Sequence, residues 1–173
     1  MRKLIFGAML LTAFAVQTKA QSVTAEAKAE VSSQLSISLN SGSTLNFGKI
    51  AVSAGVPGSC IILTNGVIQV AGGVNIIPST TSNAIFNLTG IAGSNYAITL
   101  PPNATVSRVG GSETMTVDNL KALPSSAGTD GLAGTLNATN GSDTFTVGGQ
   151  LNVVANQTNG IYVGTFNVSV AYN

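Results

Sequence analysis

Apolar and polar residues alternate along most of this chain. The pattern is cleanest in the last stretch, Gly160-Ile-Tyr-Val-Gly-Thr-Phe-Asn-Val-Ser-Val-Ala-Tyr-Asn173. Tyr162, Phe166, Val168, Val170 and Tyr172 take even positions, and Thr165, Asn167 and Ser169 odd ones. Successive side chains of a strand point to opposite faces, so this spacing predicts one strand with an apolar face, running to the end of the chain. Val, Tyr and Phe suit such a half-buried pleated surface.

A second alternating stretch lies near the other end. From Val23 to Leu39 the odd positions read Val, Ala, Ala, Ala, Val, Ser, Leu, Ile, Leu, and the even positions are polar. Period two over such a run argues extended chain. As a single strand it would span about 55 Å at ~3.3 Å per residue, far beyond a usual strand of ~5–6 residues. We therefore divide it into Val23–Val31 and Leu35–Leu39, broken at Ser32-Ser33. A helix over Ala25–Val31 is the rival, because Ala, Glu and Lys are good helix formers. A helix, however, would scatter Ala25, Ala27, Ala29 and Val31 around its cylinder, whereas a strand keeps them on one side.

Between these ends the signals are short strands and turns. Leu45-Asn-Phe-Gly48 leads into Ile50 and Val52, and Gly55-Val-Pro-Gly58 marks a turn. Cys60–Thr64 and Val67–Ala71 flank Asn65-Gly66, a hairpin signal whose two central residues are expected at positive φ. Val74–Ile77, then Ala84, Phe86 and Leu88, then Tyr96, Ile98 and Leu100 follow as further strands, with a polar turn at 78–83 and a stop at Pro101-Pro102. Thr114–Val117 comes after Gly110-Gly111, and residues 124–134 read as loop. Asn140-Gly141 predicts a second hairpin. Phe145 and Val147 lead into Gly148-Gly149, then Leu151, Val153 and Ala155 share a face. This amounts to roughly nine to eleven strands with turn signals about every 8–12 residues, the pattern of an all-β, antiparallel β-sandwich.

Composition changes the picture at the N-terminus. Arg2 and Lys3, an apolar run from Leu4 to Val16, and Thr18-Lys19-Ala20 have the form of a secretory signal peptide, residues 1–20, with the mature chain expected to begin at Gln21. Residues 21–31 then form an N-terminal extension and 32–173 the sandwich domain. The mature chain keeps Lys28, Lys49, Arg108 and Lys121 against Glu26, Glu30, Glu113, Asp118, Asp130 and Asp143, a net charge of −2. That balance offers no footprint for nucleic acid, and no later stretch is expected to insert in a membrane. Cys60 has no intrachain partner. It sits in the apolar run Cys60-Ile-Ile-Leu63, which predicts a small buried hydrophobe.

Catalytic chemistry finds little purchase. With no His and one Cys, the commonest general base, a Cys–His nucleophile pair and the usual zinc sites are missing. Glu26 and Glu30 share the polar side of Val23–Val31 with Lys28 between them, which reads as a solvated face rather than a hydrolytic pair. Asp118, Asp130 and Asp143 lack the spacing of a calcium loop. Tyr96, Tyr162 and Tyr172 are placed in the core by their alternation. We expect no enzyme, no cofactor and no metal.

Several segments, in order, carry a family resemblance: Leu45-Asn-Phe-Gly48, Tyr96-Ala-Ile-Thr-Leu-Pro101, Gly110-Gly111 with Thr114-Met-Thr-Val117, Val147-Gly-Gly-Gln-Leu151 and Gly160–Asn173. Together they resemble a secreted bacterial domain of unknown function, the one numbered 4402, which is itself similar to the subunits of chaperone–usher fimbriae. The resemblance implies an immunoglobulin-like sandwich, a structural role at the surface of a Gram-negative bacterium in adhesion or a pilus, and, as partners, other pilus subunits, a periplasmic chaperone and an usher. It also implies a mechanism. A fimbrial subunit lacks one strand, and the N-terminal extension of the next subunit supplies it through main-chain hydrogen bonds and alternate side chains in pockets. Val23, Ala25, Ala27, Ala29 and Val31 are then the donor-strand candidates, and Phe166, Val168, Val170 and Tyr172 the acceptor-groove candidates. Two alternatives stay open. Val23–Val31 pairs within its own chain and completes a monomer, or the protein is a secreted binding module, for carbohydrate or surface adhesion, using the loops at 55–59 or 124–134.

Overall fold

The computed structural model describes residues 26–173. The proposed signal peptide, Gln21, Val23 and Ala25 lie outside the described residues. Glu26–Val31 are exposed and carry no strand or helix, with Val31 96% accessible. Glu26 and Lys28 form a solvent-exposed ion pair at 3.5 Å. The strand expected over Val23–Val31 is thus not formed in its described part. Alternation prepares a segment for pairing, but a strand exists only once another edge satisfies its backbone groups.

The unit Ser32–Asn173 is all-β, with no helix among the described residues. In chain order its strands are β1 (Ser36–Leu39), β2 (Lys49–Val52), β3 (Gly58–Ile62), β4 (Ile68–Gly72), β5 (Val74–Ile77), β6 (Ala84–Thr89) and β7 (Asn95–Thr99). Then come β8 (Asn103–Arg108), β9 (Thr114–Pro124), β10 (Ala133–Thr135), β11 (Ser142–Val153), β12 (Tyr162–Gly164) and β13 (Ser169–Tyr172). Every pairing is antiparallel. The large sheet runs β1-β6-β11-β9-β8-β12, with β3 and β4 added beside the second half of β11. Two smaller sheets, β10-β7-β13 and β2-β5, are separate ladders.

β11 is the spine. Phe145, Val147, Leu151 and Val153 alternate inward and are buried, as period two requires. One edge of β11 is shared by two strands. β6 pairs with Ser142–Val147 and β3 with Gly149–Val153. Gly148-Gly149 therefore lies within one continuous strand. A Cβ on Gly148 would run into the Ile62 carbonyl oxygen and come within 2.8 Å of the Thr64 nitrogen. The absent side chain lets the end of β3 approach.

The core forms two clusters against the large sheet. In the first, Phe145, Val147 and Leu88 meet Tyr96 and Ile98 of β7, and Phe145 stacks on its cross-strand neighbour Phe86 with ring centroids 5.0 Å apart. In the second, Leu151, Val153 and Val117 meet Val74 of β5. Both small sheets thus face the large one, an arrangement consistent with a β-sandwich.

Several sequence expectations change. The final stretch is two strands rather than one. β12 pairs with β8 in the large sheet and β13 with β7 in a small one, with Thr165–Val168 crossing between them. Thirteen strands exceed the expected nine to eleven. β8 was not anticipated because only Ala104 and Val106 mark it among polar residues. β9 extends to Pro124 and β10 begins at Ala133, shortening the loop expected at 124–134. Asn140-Gly141 joins β10 to β11, which lie in different sheets, so it makes a corner and not a hairpin. Asn65-Gly66 does link the paired strands β3 and β4. Only Gly66 has positive φ, at 83°, with its N–H on the Leu63 carbonyl at 2.8 Å. This is the longer hairpin loop with one left-handed residue.

Candidate functional site

Alternation holds among the acceptor-groove candidates before Tyr172. Phe166, Val168 and Val170 are half-buried, while Thr165, Asn167 and Ser169 are exposed. Phe166 packs on both core clusters, and Val168 and Val170 on the first. Tyr172 is different. It is 37% exposed, and its hydroxyl accepts from the Ile91 N–H at 2.8 Å and donates to the Ser33 carbonyl at 3.0 Å. It ties the end of β13 to the segment before β1 and does not line a groove.

The half-buried residues mark a seam. Leu45, Leu120 and Phe166 touch both core clusters, so they stand where the two small sheets would meet over the large one. No ladder joins those sheets. Thr165–Val168 carries no strand pairing, and among the described residues it makes no backbone–backbone hydrogen bond. β2 pairs only with β5, which leaves its other edge free. Leu45, Phe47, Ile50 and Val52, on and just before β2, pack on the second cluster and remain half-buried. The sequence reading missed this second wall as part of the site. Its signal was present, since Leu45 and Phe47 are odd while Ile50 and Val52 are even. Gly48 at φ 70° changes the phase between them.

Of the donor candidates, Val23 and Ala25 lie outside the described residues. Ala27, Ala29 and Val31 are exposed and unpaired.

Several titratable groups are tied into structure. Cys60 is fully buried, and desolvation pushes its thiol up to about 11. Tyr96 is also fully buried and is pushed up, first by desolvation and then by its hydrogen bond to Asp143. Asp143 accepts that bond at 2.7 Å and another from Ser126 at 2.6 Å. Arg108 and Glu113 pair at 2.7 Å, and the guanidinium holds the carboxyl below its ordinary range. Asp118, Asp130 and Asp143 have separate partners, Asn152, Thr64 and Tyr96. Among the described residues no three His, Cys, Asp or Glu side chains gather to hold a metal ion.

The second layer thus has two strand ladders that do not join, with half-buried apolar residues along Thr165–Val168 and along β2. No curated protein and no solved structure matches the chain. The family described as Domain of unknown function (DUF4402) matches residues 35–172, which cover β1 through β13. The chain belongs to that family.

Proposed function

We propose that this protein is a secreted, non-enzymatic structural subunit, an immunoglobulin-like sandwich short of one strand, which assembles head to tail when the N-terminal extension of one copy enters the seam of the next. The observation that supports this reading is that no ladder joins the two small sheets of the second layer. Thr165–Val168 and the free edge of β2 lack strand partners, and the apolar residues on and beside them are only half-buried. A strand laid there would receive main-chain hydrogen bonds and place alternate side chains against Phe166, Val168, Leu45 and Phe47. Val23, Ala25, Ala27, Ala29 and Val31 have the matching alternation, and the described part of that segment has no strand partner.

Such a contact joins two different surfaces, so it propagates as a fibre instead of closing a dimer. The energetics suit a donated strand. Burying a valine contributes about 1.5–3 kcal/mol and each alanine much less, so the two valines are the anchors and the main-chain bonds set the register. An open apolar edge also invites aggregation. That is the physical reason for a periplasmic chaperone and an usher as partners, and export by a signal peptide at 1–20 delivers the chain to them.

The test compares the mature chain with a form starting at Ser32. The mature chain is expected to form concentration-dependent linear oligomers in sedimentation velocity. The shortened form is expected to stay monomeric and to melt higher when a peptide of residues 21–31 is added. A shortened form whose melting ignores the peptide refutes strand donation.

A further inference from the structure

The large sheet carries a cleft of about 270 Å³ on the face away from the core. It lies where the end of β3 meets Gly148-Gly149 of β11 and the irregular part of β9. Gly148 pairs with Lys121 and Gln150 with Asp118, so β9 has one extra residue there. Asn119 takes up the irregularity at φ 48°, in the left-handed region. The extra residue changes the phase of β9. Met115 and Val117 point inward before it, and Ala122 and Pro124 after it, so Lys121 turns outward into the cleft. Bulges that re-aim a side chain and strained non-glycine residues both concentrate at functional sites.

Lys121 and Asp130 both line this cleft. Among the described residues they do not pair with each other. The ion pairs formed are Glu26–Lys28 and Arg108–Glu113. Asp130 is held in place by the Thr64 hydroxyl, which donates to its Oδ1 at 2.6 Å, so its other oxygen is free to accept. Gln150 is oriented from two sides. Its Oε1 accepts from Asn119 Nδ2 at 3.3 Å, and its Nε2 donates to Asn152 Oδ1 at 2.8 Å. One N–H and one lone pair of the amide remain unused. Behind it Asn152 donates to Asp118 Oδ2 at 2.7 Å, while Asp118 Oδ1 is buried without a hydrogen-bond partner.

We propose that this cleft binds one pyranose unit of a neutral saccharide. Sugar hydroxyls both donate and accept, which matches a wall made of a carboxylate, an ammonium and free amide groups. The Asp130 carboxylate accepts from a pair of hydroxyls, Lys121 donates to a hydroxyl or ring oxygen, and the Gln150 amide serves a third. Ile61, whose neighbours Cys60 and Ile62 turn inward, receives the apolar face of the ring. The volume falls just under the ~300–1,000 Å³ of pockets for drug-sized ligands, which suits one six-membered ring. A free zwitterion fits less well, because both charged groups are exposed and an ion pair to water-accessible groups contributes little. This site is independent of the seam.

The test is retention of the full mature chain on an array of neutral, amino-sugar and uronic-acid oligosaccharides, followed by calorimetry with the retained glycan and, in parallel, with free amino acids. Neutral glycans are expected to bind. Asp130→Asn and Lys121→Met are each expected to weaken binding about tenfold or more, with melting nearly unchanged, because the Asn amide oxygen still accepts from the Thr64 hydroxyl and Lys121 is exposed. Retention of no glycan, retention unaffected by both substitutions, selective capture of uronic acids, or binding of free amino acids instead would each overturn the assignment.

Discussion

Phe166 and Phe145 offer a comparison that isolates the seam. Phe145 is fully buried, and truncating a buried Phe to Ala costs about 3–5 kcal/mol. Part of that is the stack on Phe86, about 0.5–1.5 kcal/mol. Phe166 is half-buried in the single chain, so Phe166→Ala is expected to cost roughly half as much, about 2 kcal/mol. If a donated strand covers the seam, Phe166 becomes fully buried and its truncation then costs as much as that of Phe145. The difference appears as a coupling of about 1–2 kcal/mol between Phe166 and the strand, and so as a roughly tenfold weaker peptide affinity. Urea unfolding of the form starting at Ser32, with and without the peptide of residues 21–31, measures all four corners of the cycle. Phe145→Ala is the control and should lower stability equally in both conditions. The reasoning fails if Phe166→Ala costs the same with and without peptide while the wild type gains stability from it, because the strand would then dock elsewhere.

Other expectations follow from single contacts. Val31→Asp should abolish linear oligomers in sedimentation velocity while leaving monomer melting unchanged, since Val31 is almost fully exposed and a charge would have to enter an apolar slot. Gly148→Val should cost several kcal/mol by urea unfolding, because the new side chain meets the backbone of Ile62 and Thr64, and backbone cannot move aside as a side chain can. Tyr172→Phe removes one bond to Ile91 and one to Ser33, and should lower stability by about 1–2 kcal/mol in thermal melts. Cys60 ionises near 9 when unfolded and near 11 when folded. Between those values the folded state holds the proton and the unfolded state does not, so stability falls as pH rises from 9 to 11. Cys60→Ala should flatten that part of the pH profile. A thiol reagent at neutral pH should label Cys60 only as fast as the chain unfolds.

Alternation was enough to assign faces. Phe166, Val168 and Val170 turn inward, Thr165, Asn167 and Ser169 turn outward, and Tyr96 and Cys60 are buried, all as their neighbours along the chain require. The side to which a residue points depends only on the local pleat, which has period two whatever the strand pairs with. Partners are another matter. That Gly160–Asn173 leaves one sheet for another, that β11 shares an edge between β6 and β3, and that β9 shifts phase at Asn119 are decided by segments far apart in sequence. The far wall of the seam, Leu45 to Val52, shows the same limit. Its apolar residues were visible, but only the tertiary structure packs Leu45 and Phe166 on the same two core clusters with no ladder joining their sheets, because which edges stay unpaired depends on segments far apart in sequence.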